Sequence, residues 1–342
     1  MKKDIKSMPA ADLKVFLSAQ GVAGYRADQI RKWLDAGVTD FDKMSNLPQS
    51  LREQLKDWFT VPCIKVARKL VSQIDGTVKY LFELEDGETV ESVLMSYHHG
   101  WSQCVSTQVG CKMGCTFCAT GMGGFIRNLS AAEILAQIET AQQDHGIRVG
   151  SVVLMGMGEP LDNYDNVIRF LRMLTEEGGV HIGMRHVSVS TCGLVDGIRR
   201  LMNEGLQITL SVSLHAPNDA IRTPMMPVNK RYPVDELLSV CREYAEKTGR
   251  RISYEYAMVG GVNDTDACAK ELASKLKGTL CHVNLIPVNA VEGKDQVPSS
   301  RNRIAAFQKI LEQSGITATV RRTLGSDINA SCGQLRRKAD QH

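Results

Sequence analysis

The residues best equipped for chemistry lie in one stretch, Cys111-Lys-Met-Gly-Cys115-Thr-Phe-Cys118, where three cysteines fall within eight residues at C-x3-C-x2-C spacing. Three thiolates this close can hold a metal centre and leave one coordination position unclaimed. In a [4Fe–4S] cluster three irons take one thiolate each and the fourth stays open. An open iron can chelate the amino and carboxylate groups of an amino-acid-like ligand. A zinc site would need a fourth ligand nearby, and the spacing lacks the usual paired C-x2-C half-sites. Coincidence is the third reading. Cys63, Cys192, Cys241, Cys268 and Cys281 are scattered and read as small buried hydrophobes.

The bulk of the chain sets limits on what surrounds this stretch. At 342 residues there is room for one large domain, or a large one and a small one. Apolar content of 43% with 23% charged residues is that of a soluble globular protein. No apolar run approaches the roughly 18 residues of a membrane span, and Met1-Lys-Lys-Asp-Ile-Lys leads into no hydrophobic signal segment. The expected location is the cytoplasm. Ten cysteines in that reducing compartment argue against a disulfide scaffold and for metal or redox chemistry at the clustered ones. A net charge of +3 does not by itself indicate a nucleic-acid partner. The local clusters Arg199-Arg200, Arg250-Arg251, Arg321-Arg322 and Arg336-Arg337-Lys338 carry more information.

Three regions must position the cysteines. Residues 1–61 have apolar residues at helical spacing in three segments, beginning near Pro9, Ala27 and Pro48. They form a small accessory domain that binds RNA or covers an edge of the main domain. Residues 62–96 change to a period of two, with Asp75-Gly76 and Asp86-Gly87 as hairpin turns, and read as a short antiparallel meander linking the helices to the core. Residues 97–325 alternate strands and helices. Ser130 and Glu133 form a capping box for a helix to about Asp144. Strands are expected at Ser151, His186, Ile208, Ile252, His282 and Thr317, with helices between them. Roughly six βα units make a full or partial barrel, an α/β fold whose chemistry gathers at the C-terminal strand ends. Those ends carry Gly158-Glu159, Ser190, Ser213-Leu214-His215 and Asn289. Taken alone, Ser-Leu-His is a turn with a satisfied histidine, and Asn289 is a turn residue. Residues 326–342 form a polar tail carrying Cys332.

The cysteine spacing, with an aromatic before the last cysteine, resembles the signature of radical S-adenosylmethionine (radical SAM) enzymes, whose usual core is a partial (β/α)6 TIM-like barrel. Four stretches narrow the likeness: Gln108-Val-Gly-Cys-Lys-Met-Gly-Cys-Thr-Phe-Cys-Ala-Thr-Gly, Gly156-Met-Gly-Glu-Pro-Leu-Asp-Asn, Ser213-Leu-His-Ala-Pro-Asn-Asp and Gly325-Ser-Asp-Ile-Asn-Ala-Ser-Cys-Gly-Gln-Leu-Arg. In this order they resemble the RlmN/Cfr family of adenosine methyltransferases over essentially the whole chain. The resemblance implies that Cys111, Cys115 and Cys118 hold the cluster. It also implies that Gly158 and Glu159 receive the methionine ammonium, and that Ser190, Ser213, Leu214, His215 and Asn289 contact the rest of the cofactor. Cys332 would be the residue that is itself methylated, Cys104 its resolving partner, and Glu91 the proton acceptor. Read without the family, both cysteines are inert and Glu91 is the solvent-facing half of a strand alternation.

The chemistry implied is specific. Carbon 2 of adenine is electron-poor and the sulfonium methyl is an electrophile, so ordinary polar transfer fails. The family's solution uses two S-adenosylmethionine molecules per turnover. Cys332 takes a methyl from one, and a 5′-deoxyadenosyl radical from the other activates that methyl for addition to the base. Glu91 accepts the ring proton, and Cys104 attacks Cys332 to release the product as a disulfide forms. The implied partners are 23S rRNA, tRNA at the adenosine 3′ of the anticodon, and an electron donor such as flavodoxin or ferredoxin. One chain contains every part needed, so a monomer is expected. Arg321, Arg322, Arg336, Arg337 and Lys338 lie on either side of Cys332 and could grip phosphates. Pro160 after the glutamate matches the carbon-2 type rather than the Cfr type, which methylates carbon 8, gives antibiotic resistance and tends to have alanine there. A different class, a non-catalytic metal-containing RNA-binding protein, predicts no cofactor cleavage.

Overall fold

The computed structural model describes residues 2–176, 179–289 and 297–335. At the N-terminus, strand β1 (Lys3–Asp4) and helices α1 (Ala10–Ala19), α2 (Tyr25–Asp35) and α3 (Gln49–Trp58) lead to β2 (Phe59–Thr60), which pairs parallel with β1. Ile5, Leu13, Leu17, Ile30, Leu34, Leu51 and Leu55 fill a core of their own. Each of these aliphatic side chains contributes about 1.5–3 kcal/mol when buried, which is how helices of only 10 or 11 residues persist.

The unit docks on the main domain through polar contacts. Lys6 Nζ reaches Glu139 at 2.6 Å and Arg31 reaches Glu176 at 3.3 Å. The Arg169 Nε–H donates to the carbonyl of Ser7 at 2.5 Å.

The remaining chain is built on one ten-stranded sheet. Strands β3 (Lys65–Val71), β4 (Val78–Glu83), β5 (Thr89–Tyr97) and β6 (Gly100–Cys104) pair antiparallel in succession. The Asp-Gly turns sit where the sequence puts them, with Gly76 and Gly87 at positive φ. After the hairpin of β7 (Gln108–Gly110) and β8 (Phe125–Asn128), the chain alternates. The order is α4 (Ala131–His145), β9 (Val149–Leu154), α5 (Tyr164–Met173), β10 (Val187–Thr191), α6 (Val195–Leu201), β11 (Thr209–Ser213), α7 (Asp219–Met225), α8 (Val234–Thr248), β12 (Ile252–Met258), α9 (Asp266–Leu276), β13 (Cys281–Pro287), α10 (Arg301–Gln313) and β14 (Ala318–Val320).

Seven strands, β6 and β9 to β14, form a parallel array. The array has one strand more than the six foreseen, because β6 is five residues long and mostly polar. Strand β6 also changes the meaning of residues 62–96: it pairs parallel with β9 on one side and antiparallel with β5 on the other. The meander therefore continues the barrel sheet instead of forming a separate connector. Its outer strand β3 is exposed along nearly its whole length and carries Lys65, Arg68 and Lys69, charges that discourage edge-to-edge pairing.

Helix α4 shows how local signals fix one of the covering elements. Ser130 accepts from Glu133 N, the Glu133 carboxylate accepts from Ser130 N, and Gly146 closes the helix at φ 66°. Nine of its residues are buried, and its apolar face belongs to the main core.

Candidate active site

The cysteine loop is held at both ends of the β7–β8 hairpin. Gly110 lies at φ 76°, and a Cβ there would meet the carbonyl oxygen of Gly124 at 1.9 Å, so no other residue fits this closure. The Cys111 N–H donates to that same oxygen at 2.9 Å. Thr116 N–H donates to Met225 O at 3.0 Å and Ala119 N–H to Gly333 O at 2.8 Å, which ties the loop to α7 and to the C-terminal segment. Cys111, Cys115 and Cys118 line one cavity together with Gly158, Glu159, Ser190, Ser213, His215, Asn289 and Cys332.

The donor set suits a cluster. Burial pushes the Cys111 thiol up to about 11 and that of Cys115 higher, with the neighbouring thiols adding to both. Metal binding must therefore displace protons here. Among the described residues no three His, Cys, Asp or Glu side chains converge on a single-ion position.

Beyond β9, Gly158 takes φ 101°, and its missing Cβ leaves room for Gln108. Gln108 Oε1 accepts from Glu159 N at 2.8 Å. The Glu159 carboxylate is buried and already accepts two backbone N–H bonds, from Cys192 at 2.7 Å and Leu161 at 3.0 Å. Burial raises its pKa while those bonds oppose the shift. The Thr191 and Cys192 side chains also hydrogen-bond to it.

His215, at φ 58°, accepts from Ala257 N at Nδ1 (2.9 Å), and burial pushes its pKa down to about 3. The imidazole is therefore neutral and its proton sits on Nε2. Phe117 meets the ring edge-on at 4.8 Å. Leu214 is buried behind this turn, and its N–H donates to Glu255 O at 3.1 Å. Asn289 Nδ2 donates to Cys332 O at 3.3 Å, joining the end of β13 to the tail.

Cys104 and Cys332 are both free thiols. Burial pushes Cys104 up to about 12, with the nearby Cys332 adding and the Arg321 cation opposing. Glu91 does not line the cofactor cavity. It is buried, not solvent-facing, and pairs with Lys79 Nζ at 3.0 Å in a separate small pocket with Arg68, Leu70 and Leu81. Lys79 Nζ also donates to Asn329 O at 3.1 Å, so the same ammonium touches the segment carrying Cys332.

Three site residues escaped the sequence reading. Arg321 lines the cavity beside Cys332, lies 3.8 Å from Glu255 and is within electrostatic reach of Cys104. Glu255 is itself buried in the cavity wall and accepts from Asn284 Nδ2 at 2.8 Å. A lone acid inside the apolar strand Ile252-Ser-Tyr-Glu-Tyr-Ala-Met was the signal available. Cys192 follows β10 and lines the cavity, whereas Cys63 is exposed. Arg336, Arg337 and Lys338 lie outside the described residues.

Comparison with known proteins decides between the readings of this cavity. Residues 105–275 match the model of the radical SAM superfamily, and residues 3–61 match that of the ribosomal RNA large subunit methyltransferase N-terminal domain. A probable dual-specificity RNA methyltransferase RlmN from Alkaliphilus oremlandii is 51% identical over 98% of both chains. Its counterpart from Clostridium tetani is 52% identical over 96% of this chain and 94% of its own. The crystal structure of a radical SAM methyltransferase from Sphaerobacter thermophilus superposes with a TM-score of 0.90 at 46% identity, covering 97% of this chain and 99% of that one. The chain belongs to the RlmN family of radical SAM RNA methyltransferases. As a member it uses a [4Fe–4S] cluster and S-adenosylmethionine. The RlmN N-terminal model spans α1 to α3. Among the described residues no helix is long and apolar enough to cross a membrane.

Proposed function

We propose that the enzyme methylates carbon 2 of adenosine in 23S rRNA and in tRNA, at the adenosine 3′ of the anticodon, through an S-methylcysteine on Cys332. The supporting observation is the placement of two thiols and a cation: Cys332 and Arg321 line the cavity walled by Cys111, Cys115 and Cys118, and Cys104 lies within their electrostatic reach. When bound, the cluster would supply the one-electron reduction that cleavage of S-adenosylmethionine requires.

The chain's own residues do the rest. Cys111, Cys115 and Cys118 hold the cluster. Gly158 and Glu159 receive the methionine ammonium, a charge-assisted contact, and the Ser190, Ser213-Leu214-His215 and Asn289 strand ends hold the remainder of the cofactor. The Cys332 sulfur carries the methyl group to the base. Glu91 takes the ring proton, with the Lys79 ammonium beside it to stabilise the carboxylate. Cys104, protonated at rest, is deprotonated when it attacks Cys332 and frees the product. Residues 1–61 act as an RNA-binding domain, residues 62–96 and 97–325 as scaffold and radical SAM core, and residues 326–342 as the catalytic-cysteine tail. The working enzyme is a cytoplasmic monomer served by a small one-electron carrier.

Mass spectrometry of digested rRNA and tRNA after reaction tests this reading. The expected product is 2-methyladenosine from both, and Cys332→Ala should abolish it while keeping wild-type iron content. Product containing only 8-methyladenosine, or normal turnover by the Ala variant, would overturn it.

A further inference from the structure

Helix α7 carries Arg222, the bulkiest fully buried side chain among the described residues. Its Nε–H donates to Leu214 O at 2.9 Å, Nη2 donates to Cys192 O at 2.6 Å and Ser213 O at 3.0 Å, and Nη1 donates to Asn229 Oδ1 at 2.8 Å. All four acceptors are neutral. Among the described residues no carboxylate forms an ion pair with Arg222; Asp219 is linked to it through Asn229, whose Nδ2 donates to it at 2.8 Å, and acts on it electrostatically without contact. A buried charge without a counter-ion costs several kcal/mol. Backbone carbonyls alone would not require a permanent cation, so its position needs a reason.

The bonds supply one. Cys192 follows the last residue of β10 and Ser213-Leu214 closes β11 and leads out of it, the two strand ends that carry Ser190 and His215 to the cavity. The same helix accepts Thr116 N–H at Met225 O (3.0 Å), and Met225 and Met226 pack with Met113, Cys115 and Phe117. One guanidinium therefore joins three cavity walls, and its charge acts on Cys115 and Cys192.

We propose that Arg222 is a positioning residue of the radical site with two separable effects. Its planar fork fixes the strand ends that face S-adenosylmethionine, and its charge, held out of water without a direct ion pair and within electrostatic reach of Cys115, eases reduction of the cluster. The proposal rests on the assignment of the cluster to Cys111, Cys115 and Cys118. An electron added to the cluster is stabilised by a nearby cation in a medium of low dielectric, and a guanidinium fork binds two carbonyls in a geometry that an ammonium does not reproduce.

The test uses anaerobically reconstituted wild type, Arg222→Gln, Arg222→Lys and Cys115→Ala. Iron content is assayed, the cluster is titrated with dithionite under EPR, and S-adenosylmethionine affinity is measured by calorimetry. The Gln variant should load iron normally, reduce about tenfold less readily (about 59 mV more negative for one electron) and bind S-adenosylmethionine about tenfold more weakly. The Lys variant should recover the potential but not the affinity. A Gln variant unchanged in both readouts overturns the proposal. If that variant fails to fold by circular dichroism, the Lys variant decides, and wild-type affinity there overturns it equally. Normal cluster loading by Cys115→Ala overturns the cluster assignment, and the proposal with it, and is distinguished because wild-type and Arg222 potentials then refer to another site.

Discussion

His215 sits in a turn where burial, not a charged partner, decides its protonation. Its folded pKa of about 3 lies below the ordinary value of about 6.5 for an unfolded chain. The unfolded state thus binds the extra proton, and the stabilising contribution is complete above about pH 6.5 and is lost as the pH falls toward 3. Urea titrations at pH 7.5 and 5 should show about 2 kcal/mol of loss from this residue, and His215→Gln should lack that part of the slope. An equal slope in both proteins would count against it. The thiols differ in the same way. Cys63 is exposed, whereas Cys104 is buried and pushed up to about 12. Iodoacetamide at pH 7.5 should label Cys63 first in peptide mass spectra and spare Cys104 until the protein is unfolded; early labelling of Cys104 would refute its burial. Spacing drew attention to Cys111, Cys115 and Cys118 because they are close in sequence, whereas the partners of Glu159, Gln108 and Cys192, come from distant segments and left no local signal. Arg321 was not legible. Consecutive residues leaving β14 face opposite ways, so of the Arg321-Arg322 pair one points into the cavity and the other to solvent, and no local signal says which.

Elements depend on a few positions. Gly158→Ala combines a φ of 101° with a Cβ 2.6 Å from Gln108 Cβ and 2.9 Å from its backbone nitrogen. Neither contact is a flexible tip, so the turn after β9 must move, at a cost of about 1–3 kcal/mol. A fall in melting temperature should accompany weaker S-adenosylmethionine binding, and a variant normal in both would refute the role of the turn. Leu17→Ala tests a different element. Leu17 is fully buried in the separate N-terminal core, and its truncation should cost about 2–5 kcal/mol. RNA affinity by filter binding should drop while iron loading stays unchanged, and a loss of iron would show that the two cores are not independent. The hairpins at Asp75-Gly76 and Asp86-Gly87 and the Ser130 capping box were readable because turn and cap chemistry is local. Strand β6 was not. It opens with glycine, is short and polar, and exists because β5 and β9 flank it. The role of the meander followed the same fate, since pairing across distant segments leaves no periodic trace.

At the scale of the molecule, a net charge of +3 provides little long-range attraction for RNA, so binding must rest on local contacts. Each phosphate neutralised on a single strand contributes about −0.7 to the slope of log affinity against log salt. Arg322→Gln, at an exposed position, should flatten that slope by about this amount. Arg321→Gln should leave the slope unchanged and lower turnover, since its side chain faces Glu255 and Cys332. The reverse pattern would return Arg321 to the surface role its sequence suggested. The segment around Cys332 carries one further consequence. Upstream it is fastened to the meander: Asp327 accepts from Ser72 and Gln73, Gly325 N–H donates to Asp75, and Lys79 holds Asn329 O. Downstream it is fastened to the cysteine loop, through Gly333 O to Ala119 and Leu335 O to Thr120. In mechanical terms it is a short span on two abutments, one standing on the β3–β4 hairpin, whose Lys79 also pairs with Glu91, and the other on the loop that carries Cys111, Cys115 and Cys118. A displacement of either abutment changes the tension in the span, so the sulfur at its middle is suited to register both events on a single atom.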